Sequence, residues 1–201
     1  MRIEKFSAAD IPAAAALTKK IWGDELPKAG NKLQNTIYES MVRYYSRNEH
    51  YSLKISEHNS LQGFLLAALP DDSADDGWLQ RRLKFLPPRE QRLAAGYHGY
   101  LAYNGRKLRQ QLRPGDLLLC LFVSCRPGGG SMMLQQLEKT ALRHGLTGMT
   151  LWADATCDCA YYQKHGFTTL TRFVNEHLPL LGRQETAIYH KTLIKNRTFL
   201  K

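Results

Sequence analysis

One junction constrains this 201-residue chain more than any other feature. A dense apolar run, Leu117-Leu118-Leu119-Cys120-Leu121-Phe122-Val123, passes through Ser124-Cys125-Arg126-Pro127 into Gly128-Gly129-Gly130-Ser131. The run does not alternate polar with apolar residues, which predicts a central strand over residues 116–124 buried on both faces. Beyond the glycines, Leu134, Leu137, Ala141 and Leu142 recur at helical spacing. Residues 131–144 are therefore expected to form an amphipathic helix, with Gly145 as its stop and Leu146 folded back on the last turn.

A strand entering glycines and then a helix makes an anion cradle. Glycine lets backbone N–H groups approach a ligand, and the helix start adds unpaired donors and partial positive charge. That suits a phosphate or diphosphate. Two common phosphate ligands are disfavoured. No Lys follows the glycines, as a nucleoside-triphosphate loop requires. Met133 stands where a dinucleotide-binding turn needs its third glycine. A tight connection with no ligand is the competing reading.

The flanking pattern is mixed α/β. Strands are expected over 2–6, 51–56, 61–69, 149–153, 167–174 and 186–193, with helices over 13–22, 33–47 and 157–165. Residues 51–69 read as a hairpin turning at Asn59-Ser60. Residues 78–112 read as two basic helices parted near Pro87-Pro88, with a weak point over 96–99. Residues 23–31, 71–77 and 175–184 read as loops. The length suits a single domain over 1–201, with residues 71–113 as a helical insertion.

Composition excludes some classes. Hydrophobic residues make up 43% and charged residues 23%, the balance of a chain able to bury a core. No apolar window is long enough to span a membrane, and the N-terminus lacks a secretory apolar stretch, so a cytoplasmic protein with no membrane partner is expected. Cysteines 120, 125, 157 and 159 are spaced for neither a disulfide framework nor zinc, so no metal is expected and Cys157 and Cys159 read as packing residues. The formal charge is +10. Most of it lies in 77–113, where Arg81, Arg82, Lys84, Arg89, Arg92, Arg106, Lys107, Arg109 and Arg113 face one acid, Glu90. Such a block attracts polyanions or is simply a solvated helix face.

Two boxes give the chain a resemblance to the GNAT superfamily, the GCN5-related N-acetyltransferases. Arg126, Gly129 and Ser131 resemble its acetyl-CoA loop, with Ser in place of the last Gly or Ala. Tyr161-Tyr162-Gln163-Lys164-His165-Gly166-Phe167 is similar to its aromatic-Tyr box, and Trp152-Ala153-Asp154-Ala155-Thr156-Cys157-Asp158 to a segment preceding that box in some members, with Asp158 replacing Asn. The resemblance covers about residues 116–174. It implies a mostly antiparallel, mixed sheet of about seven strands flanked by helices, with the insertion on the acceptor side.

By this resemblance the chain is an acetyl-CoA-dependent N-acetyltransferase acting on a primary amine, small molecule or peptide, by direct attack in a ternary complex. The amides of Gly128, Gly129, Gly130 and Ser131 would hold the diphosphate, with Arg126 as counter-charge or as a solvated residue. The backbone of Phe122, Val123 and Cys125 would pair with the pantetheine arm. Tyr162 takes the family's general-acid place, and Tyr161 a core place. The family's basic Glu falls on Leu117. Asp116 beside it is the candidate base, turned to the opposite face by alternation unless a bulge re-aims it. His98, a water chain or an amine delivered uncharged are alternatives. Asp158 is expected to turn away from the cofactor or cap a helix. A homodimer is compatible with the family. The alternative function is a non-catalytic module on the same fold that binds CoA, nucleic acid or another polyanion.

Overall fold

A computed structural model describes residues 2–23, 26, 29–73, 77–178 and 182–194. Among these the chain runs β1 (Arg2–Lys5), α1 (Ile11–Trp22), α2 (Asn31–Tyr45), β2 (Leu53–Glu57), β3 (Ser60–Ala68), α3 (Gly77–Leu83), α4 (Pro88–Arg109), β4 (Asp116–Ser124), α5 (Gly129–Arg143), β5 (Gly148–Asp154), α6 (Cys159–Lys164), β6 (Thr168–Leu178) and β7 (Gly182–Thr192). The strands form one sheet in the order β1-β2-β3-β4-β5-β7-β6. Every neighbouring pair is antiparallel except β4 with β5. Parts of the expected loops, residues 24, 25, 27, 28, 74–76 and 179–181, lie outside the described residues.

Local chemistry sets several boundaries. The Asp10 carboxylate accepts from Ser7 N and Oγ at 2.8 and 3.0 Å and ties the turn that leads into α1. The β2–β3 hairpin closes on His58-Asn59, one residue earlier than the expected Asn59-Ser60, and both are left-handed at φ 48° and 60°, as a two-residue turn matched to strand twist requires. Helix α5 ends as its sequence predicts: Gly145 takes φ +77° and Leu146 N returns to Ala141 O at 3.0 Å.

Two expectations about boundaries need correction. Helix α4 runs unbroken through Gly96 and Gly99. Glycine in a helix interior costs about 1 kcal/mol, but the stripe Ala94, Tyr97, Leu101 and Leu108 is buried, and that packing outweighs it. The β6–β7 hairpin extends beyond residues 174 and 186, pairing Asn175 with Gln184 and Leu178 with Gly182. Polar residues there read as loop, yet backbone pairing along a hairpin needs no apolar alternation.

Helices α1 to α4 and α5 pack on opposite faces. Phe64, Leu66, Leu121 and Val123 belong to the core under α1–α4, whereas Leu65, Ala67, Leu117 and Leu119 join Leu134 and Leu137 of α5 in the other. The change of face along β4, from 117 and 119 to 121 and 123, has a cause. Leu66 pairs with Leu121 and Ala67 with Leu119, so Cys120 is the extra residue of a β-bulge. A bulge bends its strand and resets which side chains point to which face. The basic residues of α3 and α4 are exposed except for half-buried Lys107, so they form the outer face, while Tyr97 and Tyr100 point inward.

Candidate active site

Strands β4 and β5 pair only over their first three residues, Asp116 with Gly148, Leu117 with Met149 and Leu118 with Thr150. Both strands continue beyond that point, but apart. The bulge at Cys120 follows directly, and the sheet splays into a cleft between Leu119–Ser124 and Leu151–Asp154.

Two cavities occupy the splay. One contains about 610 Å³ of atom-free space, open to solvent, walled by α1, α2 and α4 together with both strands. The other contains about 790 Å³ and reaches the glycine turn through Ser124, Gly130 and Tyr161. They share Trp22, Phe122, Thr156, Cys157 and Tyr162. These residues form the throat at which a molecule in one cavity meets a molecule in the other.

On the glycine side, Gly128 is left-handed at φ +76° and precedes the first turn of α5. Gly129 N donates to Arg126 O at 3.0 Å. The Gly130 and Ser131 amides lie in that first turn, where an α-helix offers no acceptor. Gly130 is closely packed: a Cβ would sit 3.1 Å from Tyr161 Oη and 3.3 Å from Phe122 Cζ, so these rings would have to give by a few tenths of an ångström. Ser131 Oγ lies 2.9 Å from His165 Nε2. His165 Nδ1 faces the Tyr161 carbonyl at 2.8 Å, which can only accept, so Nδ1 carries a proton. Arg126 lies 3.3 Å from Glu57, forming an ion pair at the surface. Asp158 accepts from Tyr161 N at 3.1 Å and so caps α6.

The β4 edge is offered selectively. Cys125 N donates to Gln62 O at 2.9 Å, and Val123 O points at Gly63, so both groups face β3. Strand alternation then aims the backbone of Phe122 and Ser124 at the cleft. Val123 is buried and Cys125 is exposed.

Tyr162 stands in the throat, its ring against Phe167 and Tyr189. Burial pushes its phenol well above the ordinary tyrosine pKa, with Cys157 the next contributor. Tyr161 stacks on His165 at 4.1 Å, and its buried hydroxyl lies beside the Ser131 side chain without a well-formed hydrogen bond.

Asp116 is not brought to the cleft. It is buried where β4 and β5 still pair, and its carboxylate accepts from Thr150 Oγ1 at 2.7 Å, Arg113 N at 3.0 Å and His190 Nε2 at 3.2 Å. The bulge lies downstream of Asp116 and does not re-aim it. His98 packs edge-on against Tyr44 and lines neither cavity. Two other carboxylates line the cleft: Asp158, which caps α6 yet borders the glycine-side cavity rather than turning away from it, and Asp154, at the end of β5 on the other side. Asp154 is the one sequence reasoning missed. Its Oδ1 accepts from Thr156 N and Oγ1 at 3.0 and 2.6 Å, and its Oδ2 from Tyr100 Oη. The presence of an acid inside Trp152-Ala153-Asp154 was the available signal. Its partner Tyr100 lies in a different element, and no spacing rule connects the two.

No family model matches the sequence, and no curated protein matches it either. Solved structures do. The ribosomal-protein-S18-alanine N-acetyltransferase from Escherichia coli is 13% identical, with a TM-score of 0.52 over 100% of this chain and 99% of that one. Aminoglycoside 6'-acetyltransferase type Ii is 14% identical, with a TM-score of 0.55 over 98% and 99%. Ard1 from Thermoplasma volcanium is 12% identical, with a TM-score of 0.54 over 96% and 98%. A GNAT-family acetyltransferase from Staphylococcus aureus matches similarly, at a TM-score of 0.54. With its mostly antiparallel seven-stranded sheet split between β4 and β5, this chain has the fold of the GNAT superfamily of N-acetyltransferases.

Proposed function

We propose that the chain is an acetyl-CoA-dependent N-acetyltransferase that acts on a primary amine. The observation that carries this reading is the shared throat: a cavity at a helix-start anion cradle and a second cavity meet at Tyr162. The residues fit the cosubstrate. The first-turn amides of Gly130 and Ser131 suit a diphosphate, and a Cβ-free position at Gly130 keeps Tyr161 close to the turn. The cosubstrate supplies an activated acetyl carbon and a thiolate leaving group.

The chain's own groups divide the remaining work. Gly130 and Ser131 amides hold the diphosphate, with the Arg126 guanidinium, already paired with Glu57, adding positive charge at the rim. The Phe122 and Ser124 backbone pairs with the amides of the pantetheine arm, in the manner of an added strand. Tyr162, like any tyrosine, is protonated at neutral pH, the state a proton donor needs, and burial raises its pKa further. The amine nitrogen forms the new C–N bond as the C–S bond breaks. Tyr162 gives its proton to the departing sulfur, and the ammonium releases two protons, one restoring Tyr162 and one going to solvent.

Helices α3 and α4 we read as an insertion whose inner face closes the acceptor side. Its cations are mostly solvent-exposed and none lines either cavity, although Arg109 reaches a smaller pocket beside Cys120 and Trp152; this favours an enzyme over a polyanion-binding module. The test is a thermal melt with and without CoA, together with thiol release from acetyl-CoA across a panel of amines. A stabilised fold and amine-dependent thiol release are expected. A protein indifferent to CoA overturns the proposal.

A further inference from the structure

The acceptor-side cavity has a chemistry of its own. Trp22, Tyr45, Tyr97, Tyr100 and Trp152 give it aromatic walls from α1, α2, α4 and β5. Asp154 is the only charged side chain lining it among the described residues, and it is buried at 6% exposure. Its carboxylate has room for one more donor. Oδ1 already takes Thr156 N and Oγ1, but Oδ2 takes only Tyr100 Oη, and a carboxylate offers about four acceptor sites. A second polar atom lies at this wall. Tyr45 Oη is buried and interacts with the Trp152 side chain without a well-formed hydrogen bond. A buried hydroxyl so weakly paired has capacity left for a ligand in the cavity.

We propose that this cavity takes a monocationic primary amine carried on an aromatic or similarly bulky apolar body, with Asp154 as counter-ion to the ammonium and the ring seated among Tyr45, Tyr97 and Trp152. Aromatic faces attract both a cation and a flat apolar group. One carboxylate matches one ammonium, so a polyamine or aminoglycoside would bring further charges into a wall with nothing to pair them. An acidic acceptor would meet Asp154 as a like charge. A peptide would bring further amides against a lining that is mostly apolar. Tyr100 acts as a positioning residue, since it orients the Asp154 carboxylate through Oδ2.

This inference rests on the acetyltransferase reading for its use of the amine, but not for its test. Calorimetry on the full chain without acetyl-CoA compares 2-phenylethylamine and tryptamine with their neutral alcohol counterparts, and with spermidine, kanamycin and an alanine-led tripeptide. The arylalkylamines are expected to bind at least about tenfold more tightly than the matched alcohols, the size of one charge-assisted hydrogen bond. Asp154→Asn keeps an acceptor for Thr156 and turns an N–H donor to Tyr100, whose hydroxyl oxygen can accept it, and should bring amine and alcohol to similar affinity. Should that variant fail to fold, the comparison on the unaltered protein decides alone. Equal affinity for amine and alcohol, or a preference for spermidine, kanamycin or the tripeptide, overturns the inference. Arylalkylamine binding by a protein that ignores CoA sinks the enzyme reading and leaves this one standing. Fast acetylation of another amine class does the reverse.

Discussion

The two ends of the β4–β5 pair are built from the same strands and do opposite things. At the closed end, Asp116 accepts from Thr150, Arg113 and His190, and Gly148 is packed so tightly that a Cβ would lie 2.7 Å from His190 Nε2. Each buried polar group there has a partner. At the open end the strands no longer bond to each other, and two buried hydroxyls without a well-formed hydrogen bond, Tyr45 Oη beside Trp152 and Tyr161 Oη beside Ser131, line the cavities between them. Polar satisfaction stabilises the closed end, and weakly paired hydroxyls on a cavity wall leave capacity for a ligand at the open end. The bulge at Cys120 is the hinge between the two regimes.

That contrast is most easily broken at the closed end. Asp116→Ala leaves His190, Thr150 and the Arg113 amide buried without their acceptor, and is expected to cost about 3 kcal/mol or more. Denaturant unfolding measures it, and a loss below about 1 kcal/mol would mean that the closed end is not the anchor. Asp116 lines neither cavity, so whatever folded protein remains should keep its affinity for CoA.

At the throat the expected effect moves from stability to rate. Tyr162→Phe should reduce turnover about a hundredfold, the scale of lost general-acid help, while CoA still protects the fold. Unchanged turnover would remove Tyr162 from the chemistry. The pH profile sharpens the point. A phenol whose folded pKa is raised keeps its proton through the ordinary tyrosine range near 10 and loses it only above. Rates with a fixed amine should therefore rise with pH as the amine loses its proton, and should not fall as pH passes about 10. A decline centred below that value would contradict the buried phenol.

The glycine turn should respond less. Gly128 is left-handed with open space around it, so Gly128→Ala meets no clash and carries only backbone strain of about 1 kcal/mol. A small drop in melting temperature with weaker CoA protection is expected. A loss of several kcal/mol would show that the turn is packed rather than poised.

Much of this contrast could be read from the residues, and the unread part has a physical reason. The glycine turn, the Gly145 and Gly166 stops and Tyr162 are local: a few consecutive residues specify the backbone they adopt. The bulge is not. In an unbroken apolar run such as Leu117 to Val123 no alternation exists to be broken, so an extra residue leaves no trace, and it is the bulge that decides which side chains face α1–α4. The same limit explains Asp116. Its place beside the family's base position is a matter of sequence, but its partners Thr150 and His190 come from β5 and β7. Tyr100 with Asp154, and Tyr45 above them, join three elements that only the tertiary structure assembles.

The smallest expected effect carries the opposite sign. Tyr45→Phe removes a buried hydroxyl whose interaction with Trp152 is not a well-formed hydrogen bond, so the loss of a polar group should leave stability unchanged or raise it by up to about 1 kcal/mol. At the closed end every such deletion costs stability. If the hydroxyl serves a ligand, the same substitution should weaken acceptor affinity severalfold while CoA affinity holds, because Tyr45 lines only the acceptor-side cavity of the two. Paired unfolding and amine titrations separate the outcomes. A destabilised Tyr45→Phe protein would mean that the hydroxyl already has a partner within the fold, and the distinction between a satisfied end and an unsatisfied end would lose its clearest residue.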